Sequence, residues 1–140
     1  LGCPVGSMLA GSAETIARAR RIRRRLGGAM RQAGILAAAG LYALDHHRER
    51  ISEDHRRARH LAEIAASVPG LEVVPPETNI VMIDILRDDL DAAAVLARLD
   101  RAGVRMSQFG ARRIRAVTHL DVDDDGIARA GAALAAALRG

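Results

Sequence analysis

The run Leu71-Glu72-Val73-Val74-Pro75-Pro76-Glu77-Thr78-Asn79-Ile80-Val81-Met82-Ile83-Asp84-Ile85 is where the pattern of the chain changes. Before it, apolar residues recur at helical spacing. Within it they form short β-branched blocks, interrupted by Pro75-Pro76. Residues 71–74 and 79–85 therefore read as strands, and the second, mostly apolar, must be covered on at least one face. Downstream, Asp88, Asp89 and Asp91 lead into a helix through Leu99 that Gly103 ends. Residues 104–107 and 114–118 read as two further short strands. Asp121 to Asp125 form an acidic entry to a last, alanine-rich helix ending near Leu138. The order strand, strand, helix, strand, strand, helix predicts an α+β module with a small, mostly antiparallel sheet.

Upstream of the same run, Ser52 is expected to cap a helix with Glu53 and Asp54 in its first turn. Leu61, Ile64, Ala65 and Val68 give that helix a narrow apolar stripe, and Pro69-Gly70 ends it. A seam falls between Asp45 and Ser52, dividing the chain into domains 1–48 and 49–140. In the first part, residues 5–10 read as a short buried strand closed by Gly11. Ser12 is the N-cap of a helix to about Leu26, with Glu14 in its first turn. Arg18, Arg20, Arg21, Arg23, Arg24 and Arg25 crowd its end, where cations suit the helix dipole. Gly27-Gly28 breaks the pattern. A second helix is expected from Ala29 or Met30 to about His46. It is nearly apolar all round, which predicts burial. Gly34 and Gly40 within it lower helix propensity and predict a close backbone approach.

Composition bounds what such a chain can do. With 49% hydrophobic and 27% charged residues among 140, it is globular rather than disordered. Tyr42 and Phe109 are its only aromatics and alanine is abundant, so its core is thin; the chain should lean on a larger body or a partner. Because it starts with Leu1 rather than Met, it is expected to be part of something longer. The single Cys3 excludes an internal disulfide and a cysteine-rich zinc site. The longest apolar run, residues 35–44, is half of what a membrane span needs, and no signal-peptide pattern is present, so a cytoplasmic location without membrane contact is expected. All 21 basic residues are arginine. The formal net charge is only +4 and stacking aromatics are missing, which argues against nucleic acid as a partner.

Four constellations could carry chemistry. The arginines from Arg18 to Arg25 form either a solvated, dipole-compensating face or contacts to an anion. Gly27-Gly28-Ala29-Met30-Arg31 combines a glycine break, a helix start and a guanidinium, the ingredients of an anion seat. The histidines do not chelate: His46 and His47 are adjacent, His55 and His60 are five apart, and neither spacing shares a helix face. No metal site is expected there, nor at Asp121, Asp123, Asp124 and Asp125, whose spacing is wrong for a calcium loop. The most informative segment is Arg112-Arg113-Ile114-Arg115-Ala116-Val117-Thr118-His119. Alternation puts Arg113, Arg115 and Val117 on one side and Ile114, Ala116 and Thr118 on the other. An arginine in the middle of a short buried strand is costly unless it meets an anion. Two readings stay open for Arg115: a partner among the chain's own Asp residues, or a cleft in which it grips a ligand carboxylate with both arms.

Leu1-Gly2-Cys3-Pro4-Val5-Gly6-Ser7, the run Gly27 to Gly40, Glu53-Asp54-His55, Thr78-Asn79 and Arg115-Ala116-Val117-Thr118-His119-Leu120-Asp121 together resemble low-specificity L-threonine aldolases. These are pyridoxal-phosphate lyases of the aspartate-aminotransferase fold, an α/β fold known as fold type I. The resemblance runs from the first residue to the last helix, in order. It implies that residues 1–48 are the end of the large cofactor domain and residues 49–140 a small C-terminal α+β domain. It implies that the Schiff-base lysine falls just upstream of Leu1, so that this stretch alone is inactive. It places Arg115 on the substrate carboxylate, and Arg31 and Arg24 near the cofactor site, of the same or a neighbouring subunit. The reaction implied is cleavage of L-threonine or L-allo-threonine to glycine and acetaldehyde, by a homodimer or homotetramer. The rival reading is a free-standing interaction module or truncated stub without chemistry, which the absence of lysine favours.

Overall fold

The computed structural model describes residues 1–139. The chain forms two compact units, Leu1–Arg48 and Glu49–Gly140.

The first unit contains two helices, α1 (Ala13–Arg25) and α2 (Gly34–His46). The α1 helix starts where its cap predicts: the Ser12 hydroxyl accepts from the Thr15 amide at 3.2 Å. It ends in a Schellman turn. The Gly28 amide donates to the Arg23 carbonyl at 2.8 Å and the Gly27 amide to the Arg24 carbonyl at 3.2 Å, with Gly27 at φ +78°. Four expectations fail in this unit. Residues 5–10 form no strand. A strand needs a partner to take its backbone groups, and the first unit holds no other strand among the described residues. The second helix begins at Gly34 rather than near Met30, because Gln32 stands at φ +50°, a left-handed conformation that a right-handed helix cannot continue through. Nor is α2 buried within this unit. Only Ala43 is covered, while Ile35 is 84% and Leu41 64% exposed. A Cβ added at Gly34 or Gly40 would meet nothing within 4 Å, so no backbone approaches there.

The second unit runs α3 (Ile51–Ala66), β1 (Leu71–Val74), β2 (Ile80–Ile85), α4 (Ala92–Arg101), β3 (Ser107–Gln108), β4 (Arg113–Val117) and α5 (Asp124–Arg139). It is the expected α+β module, with local differences. Ser52 is not the cap of α3. It lies inside the helix and donates from Oγ to the Glu49 carbonyl at 3.0 Å, and the capping position is Arg50. The third strand is shorter and later than residues 104–107, because β3 can pair only where it lies beside β4. At α4 the Asp91 carboxylate caps the Ala94 amide at 2.7 Å.

All strand pairs are antiparallel, in the order β1-β2-β4-β3. The register sets Val81 opposite Ala116 and Ile83 opposite Ile114. These inward residues are buried, and they share one core with Ala58, Leu61 and Ala65 of α3, Val95 and Leu99 of α4, and Ile127 and Leu134 of α5. Each buried Val, Ile or Leu among them contributes about 1.5–3 kcal/mol through burial, and each alanine less. The helices α3 and α5 meet at Gly131, where an added Cβ would stand 2.5 Å from Ile64 Cγ2. Their N-terminal ends are joined electrostatically. The Asp124 carboxylate accepts from Arg56 at 2.8 Å and from Arg57 at 3.1 Å, and these guanidinium hydrogen bonds hold the carboxyl below its usual range.

Two outcomes follow from this packing. Gly131→Ala should lower stability by about 1–3 kcal/mol in urea unfolding, because the β-branched Ile64 cannot swing aside and overpacking outweighs the higher helix propensity of alanine. Asp124→Asn should be less stable than the parent at neutral pH. A carboxyl lowered in the folded state stabilises above its unfolded value of about 3.9 and loses that contribution as pH falls through the lower folded value. The gap between parent and variant should therefore close below about pH 4, and a pH-independent gap would contradict this.

Candidate functional site

The face of the sheet opposite the core is built by the same alternation. Residues Ile80, Met82 and Asp84 of β2 stand outward, as do Arg113, Arg115 and Val117 of β4. The register pairs Asp84 with Arg113 and Met82 with Arg115. Arg113 meets Asp84 fork to fork, Nε to one carboxylate oxygen and Nη2 to the other, each at 2.6 Å. The hydrogen bonds from Arg113 hold the Asp84 carboxyl below the usual carboxylate range. An internal Asp partner is thus found for Arg113, the first residue of β4.

Arg115 is different. It is half-buried, with Met82 opposite on β2 and Ser107 opposite on β3. Ser107 Oγ donates to its backbone carbonyl at 3.3 Å. The described residues include six half-buried arginines: Arg50, Arg57, Arg87, Arg98, Arg113 and Arg115. Arg50 pairs with Asp54, Arg57 with Asp124, Arg87 with Asp89, and Arg113 with Asp84. Arg98 donates to the Ala137 carbonyl at 2.6 Å. Among the described residues, the Arg115 guanidinium alone of these six has neither ion pair nor hydrogen bond. A guanidinium that is partly desolvated and unpaired has its full fork available to a ligand carboxylate.

The end of β4 is locked just beyond Arg115. Thr118 is buried, its hydroxyl donates to the Asp54 carbonyl at 2.6 Å, and its amide donates to the Asn79 carbonyl at 3.0 Å. Asn79 Nδ2 donates in return to the Thr118 carbonyl at 2.7 Å. This knot ties β4, the start of β2 and the first turn of α3 together, and Arg50 neutralises the buried Asp54 at 3.2 Å. The sequence places Asp54 in the first turn of α3, as found, but does not reveal its link to Thr118 and Asn79, which forms only when the three elements meet. The one available signal was Thr118, a polar residue at an inward position of β4. A cavity of about 240 Å³ at the core side of β4, lined in part by Met106, Thr118, Asp123 and Arg129, does not include Arg115.

The other site candidates lie in the first unit. Arg24 is exposed in the last turn of α1, and Arg31 is exposed in the turn before α2. The anion seat at Gly27-Gly28 is not formed, for two reasons. Both amides are already used by the Schellman turn, and no helix starts at Met30 to supply others. His46 stacks on Tyr42 with ring centroids 4.1 Å apart, and His47 Nδ1 donates to the Leu1 carbonyl at 2.8 Å. Among the described residues no group of three His, Cys, Asp or Glu is placed to hold a metal ion, and no helix is long and apolar enough to cross a membrane.

Comparison with known proteins agrees with this architecture. Residues 1–88 match the family model described as beta-eliminating lyase. The low specificity L-threonine aldolase of Escherichia coli K12 is 38% identical over 132 residues, covering 94% of this chain and 38% of that protein. The probable low-specificity L-threonine aldolase 2 of Arabidopsis thaliana is 39% identical over 127 residues, covering 89% of this chain and 36% of that protein. The chain thus spans about two fifths of the length of the curated relatives it matches. Among solved structures, a putative aromatic amino acid beta-eliminating lyase/threonine aldolase from Exiguobacterium sp. 255-15 superposes with a TM-score of 0.63 at 22% identity, over 91% of this chain and 39% of that one. A putative L-allo-threonine aldolase from Listeria monocytogenes gives 0.61 at 19% identity, over the same shares of the two chains. These likenesses show the fold, a portion of the mixed α/β fold type I of pyridoxal-phosphate enzymes. By its family match, its relatives and its architecture, this chain belongs to the beta-eliminating lyase family.

Proposed function

We propose that the chain is the C-terminal portion of a pyridoxal-phosphate-dependent aldolase that cleaves L-threonine or L-allo-threonine to glycine and acetaldehyde. Residues 1–48 would be the end of the cofactor domain and residues 49–140 the small domain. The observation that carries this reading is the unpaired, half-buried Arg115 in the middle of β4. The names of the relatives support the substrate class.

The residues of this chain do not fit the cofactor by themselves. It contains no lysine to bond it, and the Gly27 and Gly28 amides are not free to take its phosphate. The reading therefore assigns the Schiff-base lysine to sequence preceding Leu1 in the longer protein, and places Arg24 and Arg31 near the cofactor phosphate or a neighbouring subunit's site. Pyridoxal phosphate would supply an electron sink for the carbanion left by carbon–carbon cleavage. The part played by this chain is anchoring. Two parallel hydrogen bonds from Arg115 to the substrate carboxylate would hold that group in one place, set the rotation about the substrate's Cα–N bond and so fix the direction of the Cα–Cβ bond that breaks. A homodimer or homotetramer belongs to the same reading, supported by the exposed apolar side chains of α2. So does a cytoplasmic location, supported by the amino-acid substrate and the lone cysteine.

Two experiments test it. In the complete enzyme, Arg115→Ala should lower kcat/KM by two to three orders of magnitude, since truncating one partner of such a pair costs about 2–5 kcal/mol. Arg115→Lys should recover only part, because a point charge cannot reproduce the fork. Melting temperature and cofactor absorbance should stay near the parent's. A folded, cofactor-loaded Arg115→Ala enzyme of near-normal efficiency would remove the assignment. Separately, the 140-residue chain treated with pyridoxal phosphate and then borohydride should show no cofactor mass on any internal residue. An internal adduct would contradict the placement of the lysine outside it.

A further inference from the structure

Resting on the reading of Arg115 as the contact to the substrate carboxylate, we propose that Arg113 is a positioning residue that keeps Asp84 from capturing Arg115. The outer face of the sheet carries two carboxylates side by side: Glu72 on β1 stands directly opposite Asp84 on β2. On the other side of Asp84, β4 presents two outward arginines. Arg113 is directly opposite Asp84, and Arg115, opposite Met82, is its diagonal neighbour. Diagonal neighbours on one sheet face lie about 7–8 Å apart, within reach of a long side chain. Asp84 is therefore contested between two guanidinium groups. The structure gives it wholly to Arg113, whose Nε and Nη2 occupy both carboxylate oxygens at 2.6 Å. Each oxygen of Asp84 already accepts from Arg113, and the charge of that guanidinium offsets the attraction of Asp84 for a second one. The immediate cross-strand neighbours of Arg115, Met82 and Ser107, are neutral, so nothing else directly opposite competes for it.

Without the Arg113 cation, Glu72 and Asp84 would face each other with no guanidinium between them and Arg115. Like charges directly opposite on a sheet are unfavourable, and Arg115 is the adjacent unpaired cation on that face. Its capture by Asp84 would fill the fork that the substrate carboxylate needs. The pair Arg113–Asp84 thus does more than join two strands: it holds an anion off the binding arginine.

The test compares four variants of the complete cofactor-loaded enzyme: Arg113→Met, Arg113→Met with Asp84→Asn, Arg113→Lys and Arg115→Ala. KM for L-threonine, kcat, melting temperature and the affinity for glycine by titration calorimetry are measured for each. Arg113→Met should raise KM and weaken glycine binding about two- to fivefold, the strength of one opposite-charge cross-strand pair, with kcat little changed. Adding Asp84→Asn should restore both values to near the parent's, although it restores no strand contact and leaves the melting temperature low. A purely structural role predicts the opposite pattern, with both variants impaired alike. Arg113→Lys keeps a cation for Asp84 and should leave KM within twofold. It stands in if Arg113→Met fails to fold, and a rise in KM for the lysine variant equal to that expected for methionine overturns the proposal. If Arg113→Met leaves KM unchanged, or if Asp84→Asn does not rescue it, while Arg115→Ala raises KM strongly, the proposal falls and the role of Arg115 stands. If Arg115→Ala itself leaves KM and glycine affinity unchanged, the underlying reading falls and the proposal with it.

Discussion

The antiparallel register between β2 and β4 is the constraint on which the rest of the second unit depends. With Ile83 opposite Ile114 and Met82 opposite Arg115, every inward position is aliphatic and every arginine of β4 points away from the core. A slip of one residue would turn Arg113 and Arg115 inward and expel Ile114 and Ala116. Burying two guanidinium groups would cost far more than any loop could compensate, so the register is set by exclusion as much as by packing. The helices then have one apolar surface to cover, and α3, α4 and α5 cover it together, with α5 packed against both of the others. The Thr118–Asn79–Asp54 knot completes the register at the strand ends, where aliphatic pairing stops.

The electrostatics of this protein follow from its use of arginine alone as a cation. Arginine presents a fork, and forks are matched by carboxylates or carbonyls wherever the side chain leaves bulk water. Five of the six half-buried arginines obey that rule within the chain. Arg115 breaks it at a place where the register leaves no room for ambiguity about direction. In the reading proposed for this chain its partner is the substrate carboxylate. The neighbouring Asp84 is paired with Arg113 instead.

The first unit shows the complementary case. Its helix α1 is fully specified by local signals, a serine cap at one end and a glycine turn at the other. Its helix α2 carries apolar residues on all sides, and Ile35, Leu41, Tyr42 and Leu44 stand exposed. The sequence asks for a burial that the first unit by itself does not provide. The same holds for residues 5–10, whose strand-like composition has no partner strand in the first unit.

Local chemistry was legible in the sequence. The period change at Leu71, the cap at Ser12, the acidic entry to α4, the glycine stops and the alternation that puts Arg113 and Arg115 on one face all depend on neighbours within a few positions. Other features were not legible, because they depend on contacts between residues distant in the chain. Ser52 looks like a cap but sits inside a helix, and Gly27-Gly28 looks like an anion seat but spends its amides on its own helix. Alternation could say that Arg113 and Arg115 share a face, but not which of them would take Asp84, a residue about thirty positions earlier. That choice is made only when β2 and β4 pair: the register puts Asp84 opposite Arg113 and a neutral methionine opposite Arg115. One of two similar arginines thereby pairs across the sheet, and the other is left without a side-chain partner among the described residues.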